Sequence, residues 1–532
     1  MTRKTVLPAL GLLAAMTLLG GAASRDNARG VSREALDEYA QILSTAQDWS
    51  VNGAGADRLV YASIQGMVST LDPHTTFFEP GAFASLEERQ RGSYFGVGIS
   101  MQRREGRITI MEVKPGTPAG KAGLRAGDVI TEIDGQPTEP SWDTPEVSSR
   151  VRGPKGSTVR LAVRRAGIAQ PIRVTLVRGE IPSSSVRHAF LLGDGVGYIQ
   201  LAEFTRTSAD DTIKAVRTLK AQGMKRLLLD LRGNPGGALE PALEISDMFL
   251  GKGQKIVSTR GRMPASNQDY RAEGRAEHYD GPLVVLVNRG SASASEILAG
   301  AIQDHDRGWI VGTTSWGKGL VQGVFPLSYG AGLALTTARY LTPSGRWIQR
   351  DYSDRAAYLF PDANPPAAGT PPADTRTFST DAGRPVRAEG GITPDETVAV
   401  EAATEFERRL QAQGAFFTFA VDYVAAHPAI GKDFTSSDAV REEFFRSVER
   451  QKIQSAGEAR EDYRRDSARI DADLVTEVLT LRYGADEGWK RALRNDVQAQ
   501  KALQAFPEAI RIARLPKASP SREAAQLSPR AI

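Results

Sequence analysis

The 532-residue sequence contains no cysteine. Disulfides, thiolate catalysis, cysteine metal ligands and a lipid anchor on an N-terminal cysteine are therefore excluded for this chain. Histidine is scarce as well. His74, His188, His278, His305 and His427 are the only five, and none stands in an HExxH or similar ligand spacing. No metal and no cofactor is expected. Neither sign of charge dominates: 67 Lys and Arg face 63 Asp and Glu, a formal +4. There is no basic stripe with interleaved aromatics, so nucleic acid is not an expected partner. After the first 24 residues no apolar run is long enough to suggest a membrane span.

What is present fits a large globular chain. With 41% hydrophobic and 24% charged residues, the composition is that of a folded protein. The length exceeds what one core supports, so two to four domains are expected. The N-terminus reads as a targeting segment: Arg3 and Lys4, then the apolar run Val6–Leu19, then small residues Gly20 to Ser24. Residues 1–24 are expected to be a signal peptide and the protein exported, periplasmic or extracellular. The alternative is an uncleaved segment that keeps it on a membrane.

The most informative stretch is Val284–Gln322, VVLVNRGSASASEILAGAIQDHDRGWIVGTTSWGKGLVQ. VVLV reads as a buried strand and Glu296–Ile302 as a helix with one apolar face. Ser291, Ser293 and Ser295 then fall at a strand-to-helix turn, where free backbone N–H groups meet an exposed hydroxyl. Taken singly, each serine is more simply a helix cap. Trp309–Val311 is a second strand, leading to Gly317-Lys318-Gly319. A lysine between glycines can approach a neighbouring backbone closely, although such a lysine is more often solvated. The arrangement suggests a serine nucleophile with a lysine base. A serine hydroxyl is weak and needs a base within hydrogen-bond reach. Lysine serves only when neutral, against a reference pKa of about 10.4, so the site must desolvate it or set positive charge nearby. Trp316 and Val321 are candidate apolar cover. Asp304, His305 and Asp306 form either a polar cluster or a solvated helix end.

SASASEI followed by GKGLVQ resembles the C-terminal processing proteases, tail-specific serine proteases with a Ser/Lys dyad. DLRGNPGG at 230–237, LDPHTTFF at 71–78, a PDZ-like segment and GGITPD at 390–395 extend the resemblance over roughly residues 35–400. It implies Ser293 as nucleophile, Lys318 as general base and Gln322 as the residue orienting the lysine. It implies an oxyanion hole from the Ala294 amide and a glycine of the NPGG turn, Gly236 or Gly237. Ser291 and Ser295 remain caps or packing residues. RLLLDLRG reads as a strand before that turn, and Asp230 with Arg232 as an internal pair supporting it.

The rest of the chain divides around this core. Residues 31–90 read as an N-terminal helical region. The resemblance implies a homodimer through these helices; otherwise they cap the core. Residues 92–180 read as a small β-rich, PDZ-like domain. LRAGDVI and IDG follow in the PDZ order, and Phe95, Gly96, Val97 and Gly98 form the candidate loop for a peptide carboxylate. Residues 183–400 alternate strands and helices as an α/β core, with a Pro-rich loop over 354–390. Residues 401–516 are helical and charged, and 517–532 read as a disordered tail. The expected fold class is thus an α/β protease core with an inserted PDZ-like domain and helical regions at both ends. The expected partners are protein or peptide substrates with free C-termini, with an adaptor or regulator as a further partner.

Two other readings compete. One is a non-catalytic peptide-binding scaffold of the same fold. The other is a hydrolase using Ser293 with His305 and Asp306. On one helix those residues would lie about 18 Å apart, too far for proton transfer, and no GxSxG elbow is present.

Overall fold

A computed structural model describes residues 32–104, 106–274, 277–360, 376–388 and 390–516. The expected signal peptide at 1–24, the centre of the 354–390 stretch and residues 517–532 lie outside the described residues. The strands VGYIQL (Val196–Leu201), RLLLD (Arg226–Asp230), LVVLV (Leu283–Val287) and WIVG (Trp309–Gly312) run side by side and parallel. Val186–Leu191 adds antiparallel at one edge and Glu396–Thr397 parallel at the other. The strands read as unbroken apolar runs because helices cover both faces of the sheet. One face carries Ser208–Ala221, Leu239–Phe249 and Ala294–Asp304. The other is covered from far down the chain, by Ala485–Leu493, Val497–Gln504 and Phe506–Ala513. There Leu493, Ala499 and Phe506 pack on Tyr198, Leu228 and Val284.

A second sheet stands beside the first. Gly332–Leu341 is its spine. Leu320–Pro326 pairs along one side, and Thr76–Phe78 and Lys255–Arg260 share the other, with Gln268–Arg271 outside. This sheet carries Gln322 directly and Lys318 in the loop leading into it.

The β-rich domain has the strand order 99–104, 107–113, 129–133, 158–164, 172–177, with the helix Thr144–Val151 beside it. Ser93–Gly96 and Gly179–Pro182 pair antiparallel where the chain enters and leaves the domain. Its first strand, Ile99–Arg104, lies at the sheet edge, hydrogen-bonded on one side only.

The C-terminal helices divide between two cores. While 485–513 belongs to the main sheet, Glu405–Gln413, Ala415–Ala426, Asp438–Arg450, Ala456–Tyr463 and Ser467–Tyr483 enclose Leu410, Phe416, Phe419, Phe444 and Leu474. Phe417 turns instead to the β-rich domain, where the Arg104 guanidinium sits 5.2 Å over its ring and also donates to the Gln413 carbonyl. Among the described residues no helix is long and apolar enough to cross a membrane. The helix Arg33–Trp49 buries none of its side chains and leaves Leu36, Tyr39 and Ile42 exposed.

The 354–390 stretch is more than a loop. Asp354 caps the short helix Arg355–Leu359 by accepting from the Ala356 and Ala357 amides, and Thr377–Ser379 pairs with Pro385–Arg387. The Pro-rich centre hid these flanks, whose Arg-Ala-Ala-Tyr-Leu is ordinary helix sequence.

Candidate active site

The site forms where the strand Leu283–Val287 turns into the helix Ala294–Asp304. Ser293 is the N-cap of that helix, with φ 55° and ψ −112°, a backbone conformation that L residues avoid at a cost of about 1–3 kcal/mol. The three serines separate cleanly. Ser291 and Ser295 are fully buried and donate to the Leu231 and Asn234 carbonyls at 2.8 and 3.0 Å. Ser293 alone of the three keeps solvent exposure.

Glu296 organises the surroundings. It lies three residues after Ser293 and is fully buried. Its Oε2 accepts from the Ser293 amide at 2.8 Å and the Lys318 amide at 2.9 Å. Its Oε1 accepts from the Ser315 hydroxyl at 2.5 Å and the Gly317 amide at 2.7 Å. One carboxylate thus joins the serine turn to the lysine loop. Burial pushes it up to about 7, against the four donors that favour its charged form. Sequence reasoning had placed Glu296 only as the start of a helix. The signal was available: Ser-x-x-Glu before an apolar run is a capping box.

Lys318 follows Gly317, whose positive φ and tight approach to the Gly390 carbonyl admit no side chain. The lysine is half-buried. Desolvation lowers its pKa, and the Glu296 and Asp72 carboxylates partly oppose this. Trp316 beside it donates its indole N–H to Tyr358, and Val321 packs against the main core. Gln322 sits at a register shift between Leu320–Pro326 and Gly332–Leu341 and donates to Thr336 Oγ1 at 3.2 Å. Bulges of this kind re-aim side chains near active sites. The buried Tyr340 hydroxyl donates to the Ser293 carbonyl at 3.2 Å.

The NPGG turn packs against the serine turn. A methyl added to Gly236 would fall 2.6 Å from the Ala292 carbonyl oxygen and 2.9 Å from the Ala294 nitrogen. The two candidate glycines are distinguished by their amides. Gly236 is buried and donates to Asn234 Oδ1 at 2.9 Å, whereas Gly237 is exposed. The turn is braced as expected by Arg232 on Asp230, with Tyr198 and, from the C-terminal helices, Asp496 completing the network.

His305 stands at the far end of the Ser293 helix. Its two nitrogens bond Asp381 at 2.8 Å and the Lys255 carbonyl at 2.7 Å. Asp304 pairs with Arg346 and Asp306 with Arg384. The solvated helix end is therefore corrected: all three residues are buried and bind the segment around 380–395. The reading that used His305 and Asp306 as a base finds both engaged there.

In the β-rich domain Phe95 lies half-buried in the entry ribbon, opposite Glu180. Gly96, Val97 and Gly98 are buried, and the carbonyls of Val97 and Gly98 accept from the Ala119 and Lys114 amides. The two glycines of this segment differ in what their backbone demands. Gly96 is a strand residue without positive φ, whereas Gly98 has φ +87° and lies hard against Thr117.

The chain thus sets a small β-rich domain beside an α/β core in which one buried carboxylate joins a serine turn to a lysine loop. The family model for peptidase family S41 matches residues 195–354, and the PDZ domain model matches 109–165. The carboxy-terminal-processing protease of Bartonella bacilliformis is 35% identical over 355 residues, covering 66% of this chain and 81% of the relative. That of Synechocystis is 40% identical over 296 residues, covering 54% and 68%. A solved photosystem II D1 C-terminal processing protease shares 29% identity with a TM-score of 0.34, covering 69% of this chain and 94% of that one. The chain belongs to the carboxy-terminal processing proteases of peptidase family S41, and it is a serine peptidase.

Proposed function

We propose that this protein is an exported endopeptidase that uses Ser293 as nucleophile and Lys318 as general base. The observation that carries the reading is the Glu296 carboxylate, which accepts from the backbone amides of both residues. Lys318 takes the Ser293 proton as Oγ attacks the scissile carbonyl, then returns it to the leaving amine. Gln322, anchored on Thr336 through its amide nitrogen, offers its amide oxygen to the lysine. The developing oxyanion meets the Ala294 amide, and Gly237 supplies the second donor because the Gly236 amide is already spent on Asn234. Export rests on the targeting sequence at residues 1–24.

A substrate C-terminus adds to the open edge of Ile99–Arg104 as an extra strand, its carboxylate toward the Phe95–Gly98 segment. The competing scaffold reading keeps this binding and drops the chemistry. Degradation of unfolded casein decides between them. Ser293→Ala and Lys318→Ala are each expected to abolish cleavage while the circular dichroism spectrum is unchanged, because the two act as a unit. Wild-type turnover should rise with pH as Lys318 loses its proton. A fluorophosphonate should label the wild-type protein and not Ser293→Ala. Cleavage by Ser293→Ala at the wild-type rate would end the proposal.

A further inference from the structure

The motif LDPHTTFF lies some 240 residues before the lysine in sequence, yet two hydrogen-bond chains lead from it to the lysine loop. The Asp72 carboxylate closes the turn by accepting from the His74 and Thr75 amides, each at 2.8 Å, and from the Thr75 hydroxyl at 2.6 Å. The first chain runs from Thr75. Its buried Oγ1 accepts from the Thr336 amide at 3.2 Å, and the Thr336 hydroxyl accepts from Gln322 at 3.2 Å. The second runs from His74. Its Nε2 shares a 2.7 Å bond with the Tyr358 hydroxyl, which accepts from Trp316 at 3.2 Å and Gln349 at 3.3 Å. Gln349 in turn accepts from the Gly319 amide at 2.8 Å. The chains therefore end at Trp316 and Gly319, near neighbours of Lys318 on either side of it, and at Gln322.

We propose that the Asp72–Thr75 turn is a positioning element for Lys318, holding the lysine loop from both sides so that its amine meets Ser293. The inference rests on the Ser293–Lys318 reading above. Charge agrees with the geometry. Lys318 interacts with Asp72 and Glu296, which favour its protonated form, and with His74. Burial and the lysine charge lower His74 to about 4, so near neutrality it meets Tyr358 as a neutral ring. Tyr340 and Tyr358 face Glu296, and the Arg350 guanidinium stacks on Trp316 and Tyr358 at 4.5 and 4.7 Å. The strand Thr76–Phe78 follows the turn, and the helix Ala56–Ser69 before it packs through Val68, Tyr61 and Ile64 on Phe77 and Ala331.

The test uses the full chain with a fluorogenic peptide. Thr75→Val keeps the shape and removes both hydroxyl bonds; Thr75→Ser keeps them. Thr75→Val is expected to lower kcat on the order of tenfold or more, with KM within about twofold, since small misplacements of a catalytic group are costly. Thr75→Ser should recover most of kcat. Asp72→Asn removes a negative charge beside Lys318, so the rising limb of its kcat–pH profile should move to lower pH, which loss of packing alone would not cause. A folded Thr75→Val with wild-type kcat would overturn the proposal. So would an Asp72→Asn profile whose limb stays in place, or a loss seen only in KM. Ser293→Ala and Lys318→Ala are assayed alongside. If those cleave normally the dyad itself fails; if they are dead while the turn variants are normal, only the positioning role fails.

Discussion

Gly236 and Glu296 set the geometry around Ser293. Gly236 has φ +93°, and an added methyl would meet the Ala292 carbonyl and the Ala294 nitrogen at under 3 Å. Gly236→Ala should therefore push the serine turn and its oxyanion amide out of place. The expected result is a loss of kcat on the order of a hundredfold, with binding of a C-terminal peptide to the PDZ domain unchanged. Peptide titration and turnover measured on the same preparation check this. Glu296→Gln leaves four donors facing a group that is itself half donor, and should cost about 1–3 kcal/mol along with most activity. Its pH signature has a definite sign. The folded-state pKa of Glu296 is raised to about 7 from 4.5, so its contribution to stability is full below about pH 4.5 and is lost as pH rises through about 7. Urea unfolding at a series of pH values should show a fall over that window in the wild type that is absent from Glu296→Gln. An identical slope in both proteins would mean that Glu296 is not the titrating group.

Among the elements, the strand Leu320–Pro326 carries Gln322 and follows directly on the Lys318 loop. Its register shift falls between Val321 and Gln322, so a bulge turns Gln322 toward Thr336. Gln322→Ala removes the side chain and leaves the backbone pairing with Gly332–Leu341. Turnover should drop by about one to two orders of magnitude while the melting temperature moves little. A fully active variant would show that the lysine needs no such orienting group. Periodicity made the helix Ala294–Asp304 and the strands Leu283–Val287 and Trp309–Gly312 legible, and their observed bounds fall within one or two residues of the expected ones. The second sheet was not legible. Gly332–Leu341 reads GLALTTARYL, an apolar run interrupted by Thr336, Thr337 and Arg339, so polarity does not alternate cleanly along it.

Across the whole molecule, the PDZ domain is held at several places, among them an ion pair of Arg152 with Glu88 of the helix Pro80–Arg91 at 2.5 Å. The ribbon Ser93–Gly96 with Gly179–Pro182 joins it to the core, and Arg104 and Gly127 meet Phe417 and Val421 of the C-terminal helices. Removing residues 97–178 leaves the ribbon ends paired and distinguishes two modes. If the domain gates the site, the shortened protein should cleave casein without need of a free C-terminus. If it delivers substrate, cleavage should fall. Amidated and free-acid peptides compared on the intact protein test carboxylate recognition directly; equal rates would show that the domain does not read the terminus.

The sequence by itself determined the serine and lysine motifs, the glycine turn before them, the strand runs of the main sheet and the order of domains. These are local patterns, written in a few consecutive residues whose spacing reports burial or a turn. Tertiary structure alone decided which residues surround the lysine loop. Asp72, His74, Tyr358 and Glu296 come from three separate segments, and no local spacing relates them. It also decided that residues 485–513 complete the main core while 405–483 form another beside the PDZ domain. Both are amphipathic and charged in the same way, and an apolar stripe records that a face is buried but not what buries it.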